Sequence, residues 1–156
     1  MDRKEKEPVI KSIAKNRKAH QRFAIIEALE AGLALKGHEV KSLRQSKVSI
    51  EEGLVRVNGG EIFLFNVYIA PYSHYSYKDI EPTRTRKLLM HRSEITRLSM
   101  EAQRQGMTLI PLEIYFKNGR AKVTVGLAKG KKDQDRREDI KKRDTEREIR
   151  RKYVAR

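Results

Sequence analysis

The chain has 156 residues, 36 Lys and Arg against 21 Asp and Glu, and a formal net charge of +15. Charged residues make up 37% and hydrophobic residues 38%, enough for one modest core but not one running through every position. The absence of cysteine excludes a disulfide scaffold, thiol catalysis and thiolate metal sites, and charges interrupt every apolar run before it could span a membrane. Met1–Lys15 reads as a flexible basic arm with no apolar run behind it, so no signal peptide is expected. Ala19, Phe23, Ile26 and Leu29 have helical spacing, and Gly32 suits the end of that helix. Leu35, Val40 and Leu43 then alternate with polar residues and suggest a strand. Leu54–Val57 and Glu61–Phe65 flank Asn58-Gly59-Gly60 and form the strongest hairpin signal in the chain. Val67–Ile69 extends as strand to Pro71, and Tyr72–Thr85 reads as a loop. Arg86–Met90 suggests a helical turn, and Ser93 a cap for a second helix through Ile95, Leu98 and Ala102. Leu109–Phe116 and Ala121–Leu127 form a second hairpin around Asn118-Gly119.

Several short strands, few helices and no βαβ alternation predict a small closed or nearly closed β-barrel. The composition shifts sharply at Lys129, dividing a barrel over residues 16–128 from a basic tail over 129–156. The tail carries 13 basic and 7 acidic residues, net +6, which leaves net +9 on the rest. Its scarce apolar side chains and its Glu146–Arg150 and Glu148–Lys152 spacings predict a segment disordered alone and helical on a surface. Both halves are basic, so a polyanionic partner is expected of each, with nucleic acid the leading choice in a soluble cytoplasmic protein.

Catalytic patterns are missing. His20, His38, His74 and His91 are scattered without metal-ligand spacing, Gly130-Lys131-Lys132 lacks the rest of a P-loop, and no nucleophile elbow occurs. A binding protein without cofactor or metal is expected, although a metal-dependent nuclease stays open. Two clusters could meet RNA phosphates. Thr83-Arg84-Thr85-Arg86-Lys87 puts three cations beside two hydroxyls, and Asn16-Arg17-Lys18-Ala19-His20 stands at a helix entry. Tyr72, His74, Tyr75 and Tyr77 could stack on unpaired bases or simply cover a barrel end.

Asn16–His20, Glu30–Gly37, Glu39–Arg44, Pro82–Leu89, Val125–Lys132 and Asp135-Arg136-Arg137 follow one another along the chain, and together these six runs resemble the SsrA-binding protein family, small protein B. The resemblance implies an oligonucleotide-binding (OB) type barrel with flanking helices. It implies an RNA-binding adaptor of trans-translation, a non-enzyme that binds the tRNA-like domain of transfer-messenger RNA (tmRNA). The adaptor would bring that RNA to stalled ribosomes, standing in for the missing anticodon arm. The implied partners are tmRNA, aminoacylated and carried with elongation factor Tu, and the ribosome, for a monomeric protein. Asn16, Glu30, Leu89 and Lys122 take RNA-binding roles by this resemblance, and Arg17, Lys18, His20, Lys36, Arg84, Arg86 and Lys87 join them as candidates. Lys129, Lys131, Lys132, Gln134, Asp135, Arg136 and Arg137 fall in the segment that the resemblance assigns to the ribosomal decoding site and mRNA channel. Gln134 stands where relatives often carry an aromatic or histidine, which implies weaker stacking there or stacking by another group. A structural ribosomal protein of the same barrel type is the alternative.

Overall fold

The computed structural model describes residues 6–73 and 80–154. Two glycine-assisted hairpins form where the sequence places them. Strands β4 (Leu54–Asn58) and β5 (Glu61–Phe65) meet at Gly59 and Gly60, with φ of +59° and +75°. The tight turn therefore falls on Gly-Gly, and Asn58 is the last paired residue, opposite Glu61. Strands β8 (Met107–Lys117) and β9 (Arg120–Gly130) meet at Asn118 and Gly119, again both at positive φ.

Three expectations for the first half and middle are overturned. Only Ala19–Arg22 is helical (α1), and Phe23–Leu33 is an 11-residue strand, β2. Its Ala, Leu and Glu residues favour a helix intrinsically, but nine register pairs with β9 override that preference. Gly37–Arg44 is a helix, α2, rather than a strand, because Val40 and Leu43 are three apart and both face the core. Arg86–Leu89 is a strand, β7, not a helical turn; its residues alternate inward and outward beside β5. The second helix, α3, does run Arg92–Ala102, but its N-cap is His91 and Ser93 makes no capping bond.

The strands close into a ring in the order β8–β4–β5–β7–β2–β9 and back to β8, all antiparallel. This is the small barrel with flanking helices that the sequence predicts. Strand β1 (Ile10–Lys15) pairs with Glu113–Lys117 of β8, so part of the expected N-terminal arm belongs to the sheet. Val48–Ser49 (β3) and Tyr68–Ile69 (β6) form a separate two-stranded ribbon. Ile62, Leu64, Val123 and Val125 fill the barrel, and Leu43 of α2 and Leu98 of α3 join the same buried cluster. Strand β9 continues to Gly130, two residues past the expected barrel boundary, and Asp133–Val154 is a 22-residue helix, α4.

Candidate nucleic-acid interface

Register on the barrel wall builds a cleft from residues far apart in sequence. Gly32 of β2 pairs with Leu89 of β7 on one side and Lys122 of β9 on the other. Paired residues in neighbouring strands point to the same face, so Leu89 and Lys122 flank a position that has no side chain. A Cβ at Gly32 would lie 3.1 Å from the Leu89 Cβ, which makes glycine the floor and Leu89 one wall. Glu30, two residues before Gly32 along β2, lies on that face as well. The resulting cleft encloses about 660 Å³, and Lys87, His91 and Arg92 also line it. Leu89 keeps 56% of its surface exposed there, an apolar side chain presented to solvent among Lys87, Arg92 and Lys122 on one hand and Glu30, Glu61 and Glu94 on the other. Three of the four residues singled out by family resemblance thus converge on one cleft.

The Glu30 carboxylate is held in place. The Tyr115 hydroxyl donates to its Oε2, and the Lys117 ammonium lies 3.4 Å from both carboxylate oxygens. Tyr115 and Lys117 sit on β8, and both reach across β9 to Glu30 on β2. The hydrogen bond from Tyr115 holds the Glu30 carboxyl below its ordinary range against a smaller desolvation effect, with Lys117 and Lys122 adding to the lowering. Burial and the bond to Glu30 push the Tyr115 phenol up to about 12, partly offset by the Thr124 hydroxyl. Tyr115 was not legible as a site residue, because in sequence it is one aromatic in an apolar strand.

The remaining candidates divide into exposed and interior groups. Lys87 projects from β7 and pairs with Glu61 at 2.8 Å. Arg86, the next residue inward, is only 1% exposed: it donates to the Val67 and Pro82 carbonyls at 2.7 and 2.9 Å and to Glu39 Oε2. Arg84 donates to Glu39 Oε1, with its Nε at 3.0 Å. The run Thr83–Lys87 is therefore no uniform phosphate comb, since strand alternation turns Arg86 into the protein. Lys36 is exposed at the start of α2, and its N–H donates to Glu39 at 2.9 Å.

Asn16 is also buried, at 5% exposure. Its side chain donates to the Pro111 carbonyl at 2.9 Å and accepts from the Ala19 N–H at 3.1 Å. It ties β8 to the start of α1, away from the lining of the cleft. Arg17, Lys18 and His20 are exposed around that helix, and Lys18 pairs with Glu51 at 2.8 Å. Tyr72 is described and half-buried beside Lys41, whose ammonium lies 5.2 Å from the ring centre, whereas His74, Tyr75 and Tyr77 lie outside the described residues.

The tail is anchored at its root. Lys131 donates to the His20 carbonyl at 2.9 Å and also pairs with Asp139 of α4, so one ammonium ties α1 to α4. Lys129, Lys132, Gln134, Asp135, Arg136 and Arg137 are exposed. Arg136 and Ile140 face Arg22 across a groove of about 360 Å³ between the two helices. Among the described residues no helix is long and apolar enough to cross a membrane.

The chain is similar to proteins of one family along most of its length. The family model for the SmpB protein matches residues 13–155. The SsrA-binding protein of Caldicellulosiruptor saccharolyticus is 51% identical over 152 residues, 97% of this chain and 96% of the relative. The SsrA-binding protein of Pelotomaculum thermopropionicum is 51% identical over 140 residues (90% and 92%), and that of Enterococcus hirae 48% over 139 residues (89% and 90%). A solved structure described as "tmRNA-SmpB: a journey to the center of the bacterial ribosome" is 48% identical, with a TM-score of 0.66 over 79% of this chain and 87% of that one.

Proposed function

The chain belongs to the SsrA-binding protein family, and we propose on that premise that it is a cytoplasmic, non-enzymatic RNA adaptor. Its barrel binds the tRNA-like domain of tmRNA, and its tail engages the ribosome at the decoding site and mRNA channel. The observation that carries the barrel assignment is the meeting of Glu30, Leu89 and Lys122 in one cleft rimmed by Lys87 and Arg92. Lysine supplies charge for phosphate, Leu89 an apolar surface for a base or ribose, and Glu30 an acceptor for N–H or O–H groups. Arg17, Lys18 and His20 form a second exposed cluster available to the same RNA, whereas Asn16 and Arg86 act by holding the surface in shape. Because β9 runs to Gly130 and Lys131 anchors the root, we place the division between barrel and tail after Lys132.

Binding of a tRNA-like-domain transcript tests this reading. Lys122→Ala should weaken binding and lower the slope of log K against log salt by about 0.7–0.9, the release expected for one phosphate contact. Truncation after Lys132 should spare most of that affinity and abolish tagging of stalled chains in a reconstituted translation reaction. Loss of RNA binding together with tagging would refute the division of labour.

A further inference from the structure

Glu30 shares the cleft lining with Glu94 and with Glu61, which pairs with Lys87. A carboxylate facing RNA in a protein with net charge +15 needs a physical reason. It repels phosphate, so it helps binding only by accepting from neutral donors, such as the amino and imino groups of an unpaired base or a ribose hydroxyl. A glutamate with free rotamers would serve this purpose badly. It would swing toward the nearest cation, and ordering it on binding would cost conformational entropy. Here its position is set from the far side. The ion pair Glu30 makes is with Lys117 of β8, not with Lys122 of the cleft, and the Tyr115 hydroxyl occupies Oε2. Among the described residues, Oε1 has only the Lys117 ammonium, 3.4 Å away, as a partner and so retains accepting capacity. Tyr115 is itself 7% exposed, held by its neighbours on β8 and β9.

We infer that Tyr115 is a positioning residue for RNA recognition: from β8 it reaches across β9 to fix the Glu30 carboxylate, leaving one oxygen to accept a hydrogen bond from a base or ribose of the bound RNA. The inference rests on the proposed RNA-binding role of the cleft and adds a residue that never has to touch the RNA. It also accounts for the absence, among the described residues, of an ion pair between Glu30 and Lys122 although they share a wall. Tyr115 and Lys117 draw the carboxylate toward β8, and the Lys122 ammonium stays available for phosphate.

A double-mutant cycle on the full chain, with the tRNA-like-domain transcript as probe, tests it. Tyr115→Phe keeps the buried ring and removes only the hydroxyl, and should weaken binding roughly three- to tenfold, the scale of one hydrogen bond. Against a Glu30→Ala background the same substitution should have no further effect. Its salt slope should match the parent chain, unlike that of Lys122→Ala. Glu30→Asp, which keeps the charge but falls one methylene short of Tyr115, should reproduce the loss. Parental affinity in Tyr115→Phe or in Glu30→Asp would overturn the inference, and so would an equal loss from Tyr115→Phe with and without Glu30, which marks a packing role. Failure of the parent chain itself to bind the transcript would instead refute the proposed function.

Discussion

Replacing Glu39 by alanine tests the buried charge cluster behind Arg84 and Arg86 most directly. Glu39 is 3% exposed, and its carboxylate accepts from the Lys36 N–H at 2.9 Å, from Arg84, with Nε at 3.0 Å, and from Arg86. Arg86 is 1% exposed, and among the described residues it has no other carboxylate as a hydrogen-bond partner, only the Val67 and Pro82 carbonyls. Glu39→Ala therefore leaves a buried guanidinium without its counter-charge, at a cost of about 3–5 kcal/mol. In a chain of this size that corresponds to a drop in melting temperature of roughly 6–20 °C. The joint replacement Glu39→Leu with Arg86→Met removes both charges and should recover much of the loss. Burial alone would raise the Glu39 carboxyl, but the bonds from Arg84, the Lys36 N–H and Arg86 outweigh it and hold it below its ordinary value of 4.5. A lowered folded value means the unfolded chain takes up this proton first as the solution is acidified. The contribution is complete above about pH 4.5 and is lost as the pH falls through the folded value. Urea unfolding of the parent chain and both variants across that range measures it. A loss under about 1 kcal/mol for Glu39→Ala at neutral pH would refute the account of Arg86 as a buried charge that depends on this partner.

Three further outcomes follow from particular contacts. Gly53→Ala would place a Cβ 2.6 Å from Pro111 Cγ and 2.9 Å from Val67 Cγ2, and should destabilise the barrel by about 1–3 kcal/mol in the same urea assay. Lys131→Ala releases the bond to the His20 carbonyl and the pairing with Asp139; hydrogen exchange should speed up across α4, and unchanged protection would show that the helix is held some other way. Ultraviolet titration should find the Tyr115 phenol ionising at about 12, because folding stabilises its protonated form. The sign makes this contribution present below the ordinary value of 10.0 and lost as the pH rises toward 12, and Glu30→Gln should bring Tyr115 down toward 10.0.

The parts of the fold legible in sequence were those written in local chemistry. Both hairpins announce themselves through Gly59-Gly60 and Asn118-Gly119, whose backbones need the left-handed region. Strand β2 does not, because its residues favour a helix and its strand character is imposed by β9, about a hundred residues away. Helix α2 was obscured by a short stretch whose apolar spacing fits either period. Arg86 shows why a run of cations is ambiguous: its partner Glu39 lies 47 residues earlier, and only the alternation of β7 reveals which cations face inward. Glu30, Leu89 and Lys122 were identified by family resemblance, but their convergence depends on a register that no local pattern encodes. Tyr115 left no trace at all, since its role exists only through a neighbour two strands away.

Strand β9 acts as a ruler. Lys122, in the cleft proposed to take RNA, and Gly130, at the root of the tail, are eight residues apart on one continuous strand, about 26 Å at the usual rise per residue. That strand is paired along both edges, to β2 on one side and to β8 on the other. A linker between two binding elements changes their spacing freely when residues are added or removed. Here an insertion would have to break two ladders or displace every inward side chain between them. The distance at which the tail leaves the barrel is therefore set by the same register that fills the core, and any drift in one would be felt at once as instability in the other.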